Sequence, residues 1–233
     1  MSDNSFQGKG AECSPRGPDF QDGEGGKASP GDGHGIALLG GVFDPVHLGH
    51  LALARATLDA LPVERVIFLP AGDPPHKEGC GAPAADRLEM LRLATAGEPR
   101  TSIDERELHR QGPSYTVLSL RELASLHPRR PIFLLLGADN VPLIRGWHRA
   151  EEILRLATPV VAPRPGHRSR FLPEDLPFLS RERIEELNHR VLPALDAPFS
   201  SSEARERIQA GDDVESLVPA AVARYIAEQG LYR

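Results

Sequence analysis

Short, mostly apolar runs alternating with segments of helical spacing leave a chain few folds to adopt, because each run must be covered on both faces. Such runs stand at residues 36–39 (IALL), 65–69 (RVIFL), 131–136 (PIFLLL) and 158–162 (TPVVA), with a shorter one at 101–103. Between them lie helical patterns at 48–61, 84–96 and 150–156, and one that Ser114 opens (SYTVLSLRELASL). The alternation predicts an α/β fold: a doubly wound parallel sheet with right-handed crossovers and helices on both faces. Such a sheet takes its ligand beyond the carboxyl ends of its strands. The residues following Leu39, Leu69, Leu136 and Ala162 are therefore the candidates for a site.

The rest of the chain is organised around that unit. Residues 1–35 contain no Leu, Ile or Val and nine of the 22 glycines, so they are expected to form a disordered tail. The domain is expected over 36–233. Residues 166–190 are the least legible, with a helix over 180–189 and a last strand over 191–195. Helices over 203–209 and 220–229 would form a small C-terminal helical subdomain spanning about 200–233. A net charge of -6 disfavours a nucleic-acid partner, which needs a basic surface. No run of eighteen apolar residues and no basic-then-apolar leader occurs, so no membrane association is expected and the cytoplasm is the default. Cys13 and Cys80 are far apart without a CxxC pair, which removes disulfide scaffolds and cysteine-held zinc, and no metal site is expected. Homo-oligomerisation is left open.

The first strand runs into Gly40-Gly41-Val42-Phe43-Asp44-Pro45-Val46-His47-Leu48-Gly49-His50. Two glycines let the backbone approach a ligand, and a new helix offers unpaired N–H groups and a positive dipole end. His47 and His50, three apart at the helix start, can face one point. Two imidazoles and helix-terminal amides would make a phosphate site without Lys or Arg. No GxxxxGK[ST] and no GxGxxG is present, so kinase, ATPase and dehydrogenase readings have no motif.

This string resembles the HxGH signature of the nucleotidylyltransferase superfamily, which implies a Rossmann-like fold and transfer of a nucleotidyl group from a nucleoside triphosphate. Four further segments occur in order: residues 69–77 (LPAGDPPHK), 104–108 (DEREL) leading to Pro113-Ser114-Tyr115-Thr116, Gly137-Ala138-Asp139 with Trp147 downstream, and Phe199-Ser200-Ser201-Ser202-x-x-Arg205. With the ending Tyr225-Ile226-x-x-x-Gly230-Leu231-Tyr232, they are similar to the bacterial nicotinate-nucleotide adenylyltransferases. The resemblance implies ATP as substrate, with Mg²⁺ carried on it, and nicotinate mononucleotide as acceptor. It places Gly40, Gly41, Phe43, His50, Gly137, Asp139, Arg164, Ser200, Ser201, Ser202 and Arg205 at the ATP. Asp44, His76, Lys77, Ser114, Tyr115, Thr116, Trp147 and His148 fall to the acceptor. His47, His50, Lys77 and Arg205 would carry the catalytic charge.

Each position also has a plainer use. Ser114 can be a helix N-cap, Asp139 a cap, Trp147 a core residue, and His76-Lys77 a solvated loop. Ser200-x-x-Glu203 is a capping box in its own right. The chain departs from the family where Val42, Asn140, His148 and Phe199 replace the usual Thr, Ser, Tyr and Ile. Two alternatives stand beside the main reading: a pantetheine-phosphate adenylyltransferase, and a catalytically silent nucleotide-binding protein.

Overall fold

The structure, a computed structural model, describes residues 34–73, 81–195 and 200–233. Of the tail expected over 1–35, residues 1–33 lie outside the described residues, as do both cysteines, His76, Lys77 and Phe199, while Gly35 already belongs to the first strand. Five strands form one sheet in the order β3-β2-β1-β4-β5: β1 (Gly35–Gly41), β2 (Val63–Pro70), β3 (Thr101–Ile103), β4 (Ile132–Gly137) and β5 (Thr158–Ala162). Every pairing is parallel, with Leu38 opposite Leu134 and Leu39 opposite Phe68. The sequence expectation of a doubly wound parallel sheet therefore holds. The apolar runs read as strands because neither face meets water. Alternate residues serve opposite layers: Ala37, Leu39, Val66, Phe68, Phe133 and Leu135 pack on one side, and Ile36, Leu38, Ile67, Leu69, Ile132 and Leu134 on the other.

On the first side lie α1 (Leu48–Ala60), α2 (Ala84–Thr95), α7 (Ser201–Ala210) and α8 (Ala220–Gln229), contributing Leu51, Met90, Ala204 and Ile226. The C-terminal helices thus share the core of α1 and α2. On the second side lie α4 (Thr116–Leu126), a 3-10 helix over Ala138–Gly146, α5 (Ala150–Leu156) and α6 (Arg181–Asn188), contributing Leu120, Ile144, Ile153 and Ile184. The four-residue α3 (Arg106–His109) precedes α4.

Two local expectations change. The strand expected over 191–195 is a single bridge, Val191 to Val161, since Pro163 lacks the N–H that the next rung of the ladder would need. The helix expected from Ser114 begins two residues later, at Thr116. The stretch after β4 winds as a 3-10 helix around Pro142. The winding reverses between β1 and β4, whose carboxyl ends part to leave a crevice.

Candidate active site

The crevice is a cavity of about 510 Å³, lined by the strand ends at Gly40, Gly41, Leu69, Gly137 and Ala162 and by the loops beyond them. The positions expected from the ends of β1, β2, β4 and β5 are thus brought together. Between β1 and α1 the chain turns at Phe43, whose φ of 53° is uncommon for a side-chain-bearing residue. Packing holds it there: Phe43 is 2% exposed, lies 5.7 Å from the Phe68 ring and stands edge-on to His50 at 4.9 Å. Its ring, itself part of the cavity lining, braces His50 from the side.

His47 and His50 both line the cavity with their rings stacked, centroids 3.7 Å apart. The His47 N–H donates to His50 Nδ1 at 3.2 Å. A nitrogen that accepts cannot carry the proton, so the neutral His50 ring holds its hydrogen on Nε2 and can donate it. His47 is only 7% exposed, and its Nδ1 has no hydrogen-bond partner among the described residues. Burial, and secondarily the Arg164 guanidinium, push its pKa from 6.5 down to about 4. At neutral pH His47 is an uncharged imidazole. One expectation is corrected here. The α1 amides are largely used within the protein, since Leu48 N–H donates to Leu217 O at 2.8 Å and His50 N–H to His47 O at 3.0 Å. Arg164, one of the residues expected at the ATP, lines the cavity and brings a guanidinium charge to it.

The His47 shift carries a testable sign. A folded-state pKa below the unfolded value means the unfolded chain binds the extra proton between pH 6.5 and 4, so this contribution is present above pH 6.5 and lost as pH falls toward 4. The expected loss is about 3 kcal/mol across that window. Urea denaturation at pH 7 and pH 4.5 measures it, and His47→Leu should flatten that part of the slope. A His47 ring that titrates near 6.5 by NMR would contradict the burial argument.

Asp44, 5% exposed, has its carboxylate filled by three donors: Gly81 N–H at 2.6 Å, Ala82 N–H at 3.0 Å and Tyr232 O–H at 2.7 Å. Asp44 lines the cavity as expected, and its carboxylate also ties together the β1 turn, the loop entering α2 and the Tyr232 segment. Burial and the Asp44 carboxylate push the Tyr232 pKa up, keeping the phenol a donor. Arg205, expected on the ATP phosphates, instead donates to Asp44 O at 2.6 Å and to Ser202 Oγ at 3.3 Å, and is absent from the cavity lining. The three serines do line it. Ser200 Oγ caps α7 by accepting from Glu203 N–H at 3.1 Å, and Ser201 Oγ donates to Pro45 O at 2.9 Å. Only half the capping box forms, since the Glu203 carboxylate pairs with Arg207 at 2.9 Å. The α7 N-terminus, with its positive dipole end, is thereby docked against the turn that carries the histidines.

The opposite end is walled by Ser114, Tyr115, Thr116, Trp147 and His148. Thr116 opens α4, where amides have no acceptor within the helix. Trp147 is half-buried and packs against the second core layer while lining the cavity, so its core and site uses coexist. Tyr115 and His148 stack at 4.4 Å. Ser114 is not the α4 cap; its Oγ accepts from Gly72 N–H at 3.0 Å and Asp73 N–H at 3.2 Å. Asp139 does not cap a helix either and accepts from Arg164 Nη1 at 3.3 Å. Both are more than a third exposed, so the pair is weak and either partner can exchange for a ligand.

Arg87 escaped the sequence reading. It is 1% exposed, and its Nη1 donates at 2.8 Å to both Val42 O and Ala71 O, joining the loops that follow β1 and β2. Its signal was present: Arg87 falls three, four and seven positions before Met90, Leu91 and Ala94 on the buried stripe of α2. No helix among the described residues is long and apolar enough to cross a membrane.

A parallel sheet with a switch-point cavity, floored by stacked histidines at a helix start, defines a nucleotidylyltransferase, and the chain belongs to the cytidylyltransferase-like family, which matches residues 38–207. Within it the chain is one of the nicotinate-nucleotide adenylyltransferases. A "probable nicotinate-nucleotide adenylyltransferase" of Geobacillus thermodenitrificans is 41% identical over 84% of this chain and 85% of its own length. One from Dehalococcoides mccartyi is 40% identical over 84% and 95%. The Plasmodium falciparum nicotinic acid mononucleotide adenylyltransferase, solved with NaAD, shares the fold at a TM-score of 0.69 and 18% identity, covering 85% of this chain and 97% of its own.

Proposed function

We propose that this enzyme transfers AMP from ATP to nicotinate mononucleotide, giving nicotinate adenine dinucleotide and pyrophosphate in NAD biosynthesis. An acceptor phosphate oxygen attacks the α-phosphorus; the new P–O bond forms as the bond to pyrophosphate breaks. The acceptor is already an anion at neutral pH, so positioning and charge stabilisation suffice and no strong base is needed. The observation carrying the reading is the His47–His50 stack on the floor of the switch-point cavity.

Roles follow from placement. His50 Nε2–H and the α7 N-terminus bind the triphosphate, with neutral His47 beside them. Asp139 and Arg164, at the ends of β4 and β5, exchange their mutual bond for the adenosine and the phosphates. The Thr116 amide and hydroxyl receive the nicotinate carboxylate, and Trp147 stacks on the pyridine ring. Lys77 and His76, beyond the described residues, supply charge from the loop after β2, as the family pattern implies. Arg205 acts on the phosphates only after leaving Asp44 O; in the position described it braces the turn. Mg²⁺ enters on ATP with most of its waters. Among the described residues no group of three His, Cys, Asp or Glu converges to hold it.

ATP-dependent pyrophosphate release, measured with each acceptor in turn, tests the reading. Nicotinate mononucleotide should exceed nicotinamide mononucleotide in kcat/KM by tenfold to a few hundredfold, because the amide turns an NH₂ toward a buried donor, at about 1–3 kcal/mol. Equal use of the two would remove the carboxylate assignment. Release with phosphopantetheine in place of either would move the enzyme to the pantetheine-phosphate branch, and ATP binding without release would mark a silent protein.

A further inference from the structure

We propose that Glu107 is a positioning residue for the acceptor, holding the Ser114–Thr116 wall in register through a buried hydroxyl network. The proposal rests on the acceptor end assigned above. Glu107 is 4% exposed and lies in the cavity wall beside Ser114, Tyr115 and Thr116. Its Oε1 accepts from Ser119 Oγ at 2.5 Å, and the Ser114 hydroxyl lies close enough to favour the charged form of the carboxyl. Ser119 Oγ in turn accepts from Arg110 Nη1 at 3.0 Å, and Arg110 is anchored by Glu122 at 2.8 Å.

The hydrogen-bond count makes Glu107 hard to replace. Ser114 Oγ uses its acceptor capacity on the Gly72 and Asp73 amides, which leaves its one hydrogen for an acceptor, and the Glu107 carboxyl stands beside it. Glu107 therefore ties α3 to α4 through Ser119, next to the hydroxyl that holds the loop leaving β2. The contact is tight at the backbone as well, since a Cβ on Gly72 would sit 2.1 Å from Glu107 O. Burial pushes the Glu107 pKa up while Ser119 and Arg110 oppose that rise, the expected state of a carboxyl held for its bonds. None of these bonds reaches Asp139, Arg164 or α7, so the network bears on the acceptor end of the cavity alone.

Glu107→Ala, Glu107→Gln and Ser119→Ala form the test. Acceptor affinity is read directly from the fluorescence of Trp147, the chain's single tryptophan, and from steady-state KM for each substrate. Glu107→Ala should weaken nicotinate mononucleotide binding about tenfold, while KM for ATP stays within about twofold and kcat within about threefold. Glu107→Gln should recover most of the loss, because its amide oxygen can still accept from Ser119. If Glu107→Ala does not fold, Ser119→Ala decides, with an expected loss of about threefold in acceptor affinity. An acceptor affinity unmoved in the folded variants, or equal losses for both substrates, overturns the proposal. Wild-type turnover of nicotinate mononucleotide tests the underlying function separately. Should another acceptor prove to be the substrate, the same comparison is made with that acceptor.

Discussion

Replacing His50 by Ala should lower kcat by a factor of about 10² to 10³, the scale of removing one preorganised donor from a site where charge develops. The reason is specific to the turn. His47 N–H occupies Nδ1, so the neutral ring presents Nε2–H without any choice of tautomer, and Phe43 fixes the ring plane from the side. His50→Gln, whose NH₂ falls near the place of Nε2, should keep more activity than His50→Ala, while KM for the acceptor moves little in either. Single-turnover kinetics with saturating ATP give the number. Turnover within about threefold of wild type in the Ala variant would remove His50 from the reaction.

The second large effect is on stability. Asp44→Ala strips the acceptor from three donors at once, the buried Ala82 amide and Tyr232 hydroxyl and the more exposed Gly81 amide. An unsatisfied buried donor costs about 1–3 kcal/mol, so the sum is about 3 kcal/mol or more. For a domain of this size that corresponds to a fall in Tm of about 6–12 °C. Asp44→Asn should fall between, because Ala82 and Tyr232 share Oδ1, which the amide oxygen reproduces, whereas Gly81 would face an NH₂. Tyr232→Phe removes only one partner and should cost about 1 kcal/mol. Thermal denaturation of the three variants orders them; a Tm within about 2 °C of wild type for Asp44→Ala would show that the carboxylate is not the tie described.

The contrast between what the sequence disclosed and what it hid follows from the range of the interactions. Strands buried on both faces are written as unbroken apolar runs, so 36–39 or 131–136 can be read without knowing their neighbours. The histidine turn is legible for the same reason, since its members lie within eleven residues. Ser114 read as a cap because local logic offers no other use; its partners Gly72 and Asp73 are 42 and 41 positions away. The family resemblance puts Arg205 on the phosphates, and a resemblance does not disclose its bond to Asp44 O, 161 positions upstream. The α3 helix is one turn long and has no room for a periodic stripe. Arg87 was readable in principle, but a cation on an apolar stripe is usually solvated rather than buried.

The Asp44–Tyr232 bond spans 188 positions, and it closes over the first turn of the domain to be made. During synthesis the histidine-bearing segment emerges early and must wait, unlatched, until nearly all the strands and helices behind it have been translated and packed. A ribosome-stalled chain lacking α8 could pair β1 with β2 yet leave the Asp44 carboxylate without its phenol partner. In a fold nucleated from its amino end, the reaction centre would be among the last places to settle, so a partly synthesised chain should have little chance of turning over ATP.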